Sequence, residues 1–219
     1  MSMKKIIQNI TSQPQTKQEL IDLIKAEIRK NGNRCDLNHI DTSLITNFSW
    51  LFSQSKFNGN ISRWDVSNAE SMRGMFASSK FNGDISRWNV SSVTNMNYMF
   101  CNSKFNGDIS SWDVSSVKEM NFMFYLSNFN GDISGWDVSL VEDMDSVFFH
   151  SVFEGDVSNW NLFSIKTNID MFSYSPITKK LGISEPSFDQ VKSHFLSLKL
   201  EAALQEVSPG QRQASKVRL

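Results

Sequence analysis

Few side chains in this 219-residue sequence are spaced for covalent chemistry. The three histidines, His39, His150 and His194, fall in unrelated segments. No GxSxG, HExxH, P-loop or GxGxxG pattern occurs, so neither a nucleophile beside a base nor a phosphate cradle is spelled out. The two cysteines, Cys35 and Cys101, lack CxxC or Cys/His ligand spacing and read as free thiols. A nucleophilic Cys101 would need an adjacent base, yet the equivalent residues one unit away are Ala77 and Tyr125. The most regular chemical pattern is acidic: Asp84, Asp108, Asp132 and Asp156, with Asn60 in the same column, recur every 24 residues. Carboxylates at one-coil spacing bind calcium in some β-solenoids. Each of these, however, follows Asn-Gly or Glu-Gly in a turn, where a carboxylate accepts backbone N–H bonds. The expectation is turn capping, with no metal, no cofactor and no catalytic residue.

The elements that would position any site are set by the repeat. Trp64, Trp88, Trp112, Trp136 and Trp160 lie 24 residues apart, as do Phe57, Phe81, Phe105, Phe129 and Phe153. A third column runs Phe52, Phe76, Phe100, Phe124, Phe148 and Phe172, and Gly59, Gly83, Gly107, Gly131 and Gly155 keep the same register. The unit reads FNGDISxWDVSxVxxMxxMFxxSx. A period of this size means stacked supersecondary units that cannot bury their apolar side chains alone. Within one unit, Ile85-Ser-Arg-Trp88-Asn-Val90 predicts a short strand with Trp88 and Val90 inward. Val93, Met96, Met99 and Phe100 fall on one face of a short helical segment. Six such coils, the first a degenerate one around Leu37 to Phe52, predict a stack roughly 30 Å long at about 4.8 Å per coil.

This unit resembles the repeat of the BspA-like leucine-rich-repeat proteins of bacteria, including the tryptophan-containing repeats of their surface proteins and lipoproteins. The resemblance covers about residues 35–175. It implies an α/β repeat solenoid, leucine-rich-repeat-like, with one short parallel strand and one short helical segment per coil. It also implies a binding role, often as an adhesin or surface-displayed recognition module. The sequence departs from the surface-protein pattern in showing no apolar h-region, lipobox cysteine or 18-residue apolar run. As it stands it reads as cytoplasmic, with non-classical export or surface association as the alternative.

Helical caps are expected at both ends. Thr16-Lys-Gln-Glu19 and Ser187-Phe-Asp-Gln190 are capping boxes, each followed by an amphipathic stripe. The chain therefore divides into an N-terminal helical cap over 1–35, the solenoid over 36–175, a C-terminal helical cap over 176–208 and a flexible tail over 209–219. Charge follows the same division. Residues 1–35 carry seven Lys/Arg against three Asp/Glu, residues 36–172 eight against sixteen, and residues 173–219 seven against four. An acidic middle disfavours nucleic acid as its partner.

Residues that vary between coils are where a specific surface can lie. The positions flanking each Trp supply Arg63, Asp65, Arg87, Asn89, Asp113, Asp137, Asn159 and Asn161, with Phe163 beyond them. On a concave strand face they would form a protein-binding groove, with Arg–Asp pairs in its N-terminal half. An alternative apolar patch on the helical side comprises Tyr98, Phe122, Tyr125, Leu126 and Phe149. Phe195 and Leu198 of the C-terminal helix are expected to cover part of it. The function these features predict is non-enzymatic binding of a protein partner, as a cytosolic inhibitor or immunity-type protein. A secreted effector or adhesin is the alternative, and an enzyme with a site between the stack and the C-terminal segment the third possibility.

Overall fold

A 24-residue unit bearing two Phe, a Trp, an Ile and two Met in a single layer can only bury them against its own copies. In the computed structural model, which describes residues 13–211, it does so by stacking in register. The rings of the Phe52 column face one another at 5.5–5.8 Å and 1–17°. Those of the Phe57 column follow at 6.2–6.4 Å. Within each coil the two columns meet at 4.2–4.8 Å. Each such pair adds about 0.5–1.5 kcal/mol beyond its area term. Met72, Met75, Met96, Met99, Met120 and Met123 are fully buried beside these rings, where a flexible thioether fills the gaps between them.

The backbone differs from the expected strand and helical segment. Apart from one bridge between Asp36 and Asn60 in the first two coils, parallel pairing between coils falls at Asn47, Ser71, Asn95, Glu119, Asp143 and Thr167, on the side expected to be helical. There the N–H groups of Met96, Tyr98, Phe100 and Asn102 donate to the carbonyls of Glu119, Asn121, Met123 and Tyr125 in the next coil. The intervening N–H groups of Met99, Cys101 and Ser103 close tight turns onto Met96, Tyr98 and Phe100. A helix would send every N–H four residues back along its own chain. This segment sends alternate ones to its neighbour, which requires the chain to switch hand. Tyr98 at φ 59° and Asn102 at φ 50° make that switch, and every coil repeats it at the same two positions.

The Trp segment is likewise not a strand. Trp88 donates its N–H to the Ile85 carbonyl, so Ile85 to Trp88 is a turn, and the inward alternation of Trp88 and Val90 that predicted a strand follows directly from its end. No backbone ladder joins neighbouring coils through these turns among the described residues. The indole does so instead. Nε1 of Trp64, Trp88, Trp112, Trp136 and Trp160 donates to the carbonyl of Leu37, Ile61, Ile85, Ile109 and Ile133, at 3.0–3.1 Å.

The capping box at Ser187 closes reciprocally, whereas at Thr16 the glutamate closes one residue earlier, on Gln15. Helix α1, Lys17–Asn31, begins with the Thr16 hydroxyl accepting the Glu19 N–H while the Glu19 carboxylate accepts from Gln15. It buries Leu20 and Ile24 on the first coil and ends at Gly32, φ 80°. Helix α2, Pro176–Leu181, starts where proline stops the repeat. Helix α3, Phe188–Gln211, opens with Ser187 and Gln190 exchanging hydrogen bonds and buries Phe188 and Val191. It runs through Pro209, where the flexible tail was expected to begin; residues 212–219 lie outside the described residues, as do 1–12.

Removing one indole separates its two roles. Trp112→Ala is expected to cost about 3–5 kcal/mol. Trp112→Phe, which keeps a ring but removes the bond between coils and leaves the Ile85 carbonyl only the N–H of Trp88, should cost about 0.5–1.5 kcal/mol. Urea unfolding measures both, and a Trp112→Phe protein as stable as wild type would mean that the indole bond contributes nothing.

Candidate functional site

The row flanking the tryptophans is built by turns whose polar groups are largely spent within the chain. Asp65, Asn89 and Asp113 each accept both the backbone N–H and the hydroxyl of the serine two residues on, and Asp137 accepts the N–H of Ser139. The Ser115 and Ser139 hydroxyls, followed by the N–H groups, hold Asp113 and Asp137 below the usual carboxylate range. The expected Arg–Asp pairs do not form: Arg63 and Arg87 are exposed and enter no ion pair among the described residues. At the far end α3 crosses the row, with Lys199 reaching Asn159, Ser158 and Asp156. Asn161 is exposed and Phe163 stands 86% exposed beyond it.

The opposite side is of a different character. Each coil places two residues, four apart, in the left-handed backbone region. One column reads Trp50, Gly74, Tyr98, Phe122, Ser146, Asp170 and the other Gln54, Ser78, Asn102, Leu126, His150, Tyr174. That conformation costs about 1–2 kcal/mol for a residue bearing a Cβ, and Gly or Asn satisfies it most cheaply. This chain nevertheless puts Trp, Tyr, Phe, Leu and His there.

Their side chains form one continuous row. Trp50 lies across Gly74, where any Cβ would enter its ring, and so reaches Tyr98 two coils away at 6.1 Å. The Arg73 guanidinium sits over both rings at 5.9 and 5.7 Å. Tyr98 stacks on Phe122 at 4.8 Å, Tyr125 on Phe149 at 5.2 Å and His150 on Tyr174 at 4.5 Å. Phe122 meets Tyr125, and Phe149 meets both His150 and Tyr174. All five residues of the expected apolar patch belong to this row. Trp50, His150 and Tyr174 extend it along the same columns, since Trp50 and Tyr98 differ by two repeat lengths, and Arg73 joins it from the adjoining column. The row is open to solvent: Trp50 is 46%, Leu126 42% and Tyr174 62% exposed. Of the expected cover, Leu198 remains exposed and Phe195 is half-buried against the core, while the polar contacts of α3 fall on residues 156–160.

The groups with chemical potential are placed as structural parts. Asp84, Asp108 and Asp132 accept the backbone N–H of Ser86, Ser110 and Ser134, which with the serine hydroxyls holds all three carboxyls low. Among the described residues no three His, Cys, Asp or Glu side chains converge as a metal site requires. Burial pushes the Cys101 thiol up, away from the thiolate a nucleophile needs.

A family model described as Mycoplasma protein of unknown function, DUF285, matches residues 24–125 and again residues 101–193. No curated protein and no solved structure matches the chain.

Two predictions follow from the placement of these side chains. Phe122→Asn relieves left-handed strain while losing the ring contacts with Tyr98 and Tyr125, so its stability should stay within about 1 kcal/mol of wild type. Phe124→Ala, two residues away in the buried column, should lose about 3–5 kcal/mol. Equal losses in urea would place both rings in the core. The lowered aspartates stabilise the fold fully above their unfolded value near 3.9, and that contribution is lost as pH falls through their lower folded values. Calorimetric melting temperature should therefore drop below about pH 4. The drop should be shallower in a Ser86→Ala, Ser110→Ala, Ser134→Ala protein, and an unchanged acid slope would remove the turn carboxylates from the account.

Proposed function

The chain belongs to the DUF285 family, described only as a Mycoplasma protein of unknown function, and we propose that it is a BspA-like, leucine-rich-repeat-type solenoid that binds a protein partner through its aromatic row without catalysing a reaction. The observation that carries this reading is the placement of bulky rings, exposed at Trp50 and Tyr174 and half-buried at Tyr98 and Phe122, at strained left-handed positions. Strain retained at the surface, where Gly or Asn would remove it, marks positions held for something other than stability. The composition also fits: Trp, Tyr and Arg are the residues that dominate interface energetics, and Trp50, Arg73 and Tyr98 form one cluster here. Stacked rings present a pre-ordered surface, so a partner pays little side-chain entropy on docking. An inhibitor- or immunity-type protein acts through such a surface, as does an exported binder. No helix among the described residues is long and apolar enough to cross a membrane.

The Trp-flanking row supports a second reading through the exposed, unpaired Arg63 and Arg87. Affinity capture with three baits separates the two. Wild type and an Arg63→Glu, Arg87→Glu variant should retain the same stoichiometric partner. A Tyr98→Ser, Tyr125→Ser variant with an unchanged melting temperature should bind it about 100-fold more weakly, as loss of two interface anchors implies. Loss only in the arginine variant would move the site to the Trp side.

A further inference from the structure

One edge of the stack carries charge that nothing in the chain answers. Lys56, Lys80 and Lys104 occupy the same column in three successive coils, and Arg34 precedes them from the end of the N-terminal cap. Together with Asn33 and Asn58 they line an open hollow of about 440 Å³. All four cations are exposed, and none forms an ion pair among the described residues. Ammonium groups repeated at about the 4.8 Å spacing of stacked chains repel one another. The net charge of residues 36–172 conceals this row, because the sixteen carboxylates lie in other columns.

Beside the lysines runs a second row of donors. The carboxamide oxygen of Asn58 accepts the Asn82 N–H, that of Asn82 accepts the Asn106 N–H, and that of Asn106 accepts the Asn130 N–H, at 2.7–2.8 Å. These bonds fix the orientation of each amide. Its NH2 is thereby left outward, bonded to no described residue. Two residues further along each segment, Asp84 and Asp108 form a negative row, held in place by Ser86 and Ser110. The track is thus one cation wide, with amide donors alongside and carboxylates beyond. A duplex or an anionic membrane is too broad to avoid those carboxylates. A single-stranded nucleic acid gains its affinity by stacking bases on aromatic rings, and no ring lines the hollow.

We propose that this Lys–Asn track binds a linear sulfated polysaccharide, with Lys56, Lys80, Lys104 and Arg34 pairing its sulfates and the amides of Asn58 and Asn82 donating to its hydroxyl and ring oxygens. The site is independent of the aromatic row.

The test is titration calorimetry of the full chain with a size-fractionated heparin fragment. The same backbone chemically stripped of sulfate, inorganic polyphosphate and oligo-thymidine serve as the comparison probes. Heparin should bind with an affinity that falls as salt rises. Lys56→Gln, Lys80→Gln, Lys104→Gln should weaken it roughly 100-fold, each cation at an anionic surface being worth several-fold. The melting temperature and the capture of any protein partner by the aromatic row should be unchanged. The desulfated fragment should not bind, and polyphosphate and oligo-thymidine should bind at least tenfold more weakly than heparin. Absence of heparin binding, equal binding by the triple variant, or equal or tighter binding of polyphosphate or oligo-thymidine would each overturn the proposal.

Discussion

The hydrogen bond from each Trp indole to the carbonyl of the coil before it is the contact on which the stack depends. A chain that turns tightly on one side of every coil spends its backbone N–H groups within the turn, so another donor must tie that side to the neighbouring coil. The indole supplies both the tie and the packing. Its ring fills the interior beside the Phe52 column, and its single N–H takes the second acceptor position of the carbonyl that closes the turn in the coil before. No other apolar side chain combines that volume with a donor. The repeat length follows, because bond and ring must recur in the same register for every coil. On the opposite side the left-handed residues do the equivalent work for the backbone itself, by turning alternate N–H groups toward the neighbouring coil.

The columns were legible in the sequence because burial leaves a periodic record. Every Phe, Trp and Met assigned inward from its spacing is buried in the regular coils. Both capping boxes were readable too, since each is a local exchange of two hydrogen bonds. The path of the backbone between those anchors was not. Ile85, Trp88 and Val90 point inward whether the segment is extended or turned, and Val93, Met96, Met99 and Phe100 do so whether it is helical or alternates hand. Inward-facing periodicity records which side chains are buried, whereas the hydrogen-bond partners of the backbone are decided by coils a full repeat away.

The surfaces divide on the same principle. Tyr98, Phe122, Tyr125, Leu126 and Phe149 stood out because other coils carry small or polar residues in their columns, and the structure joins them into a single row. The Trp-flanking row was read from sequence as a charged groove, and here pairwise logic failed. An Asp or Asn two residues before a Ser finds a fixed partner within the turn, which an Arg on a flexible stem competes for poorly. A sum of charge along the chain hides the lysine column, because the fold sorts charge across the chain.

Each coil bonds only to the coil immediately before and after it, so the stack has no element that measures its own length. A crossover between two near-identical units in the encoding DNA would delete or duplicate one coil in frame. Every indole bond and every stack of the two buried Phe columns would find an equivalent partner, and the two helical ends would close the new length unchanged. What such an event alters is the outer surface, since it brings together exposed residues that were previously one coil apart. In this architecture the cheapest heritable variation is a change of surface register at constant core, and a lineage can revise what it recognises without relearning how to fold.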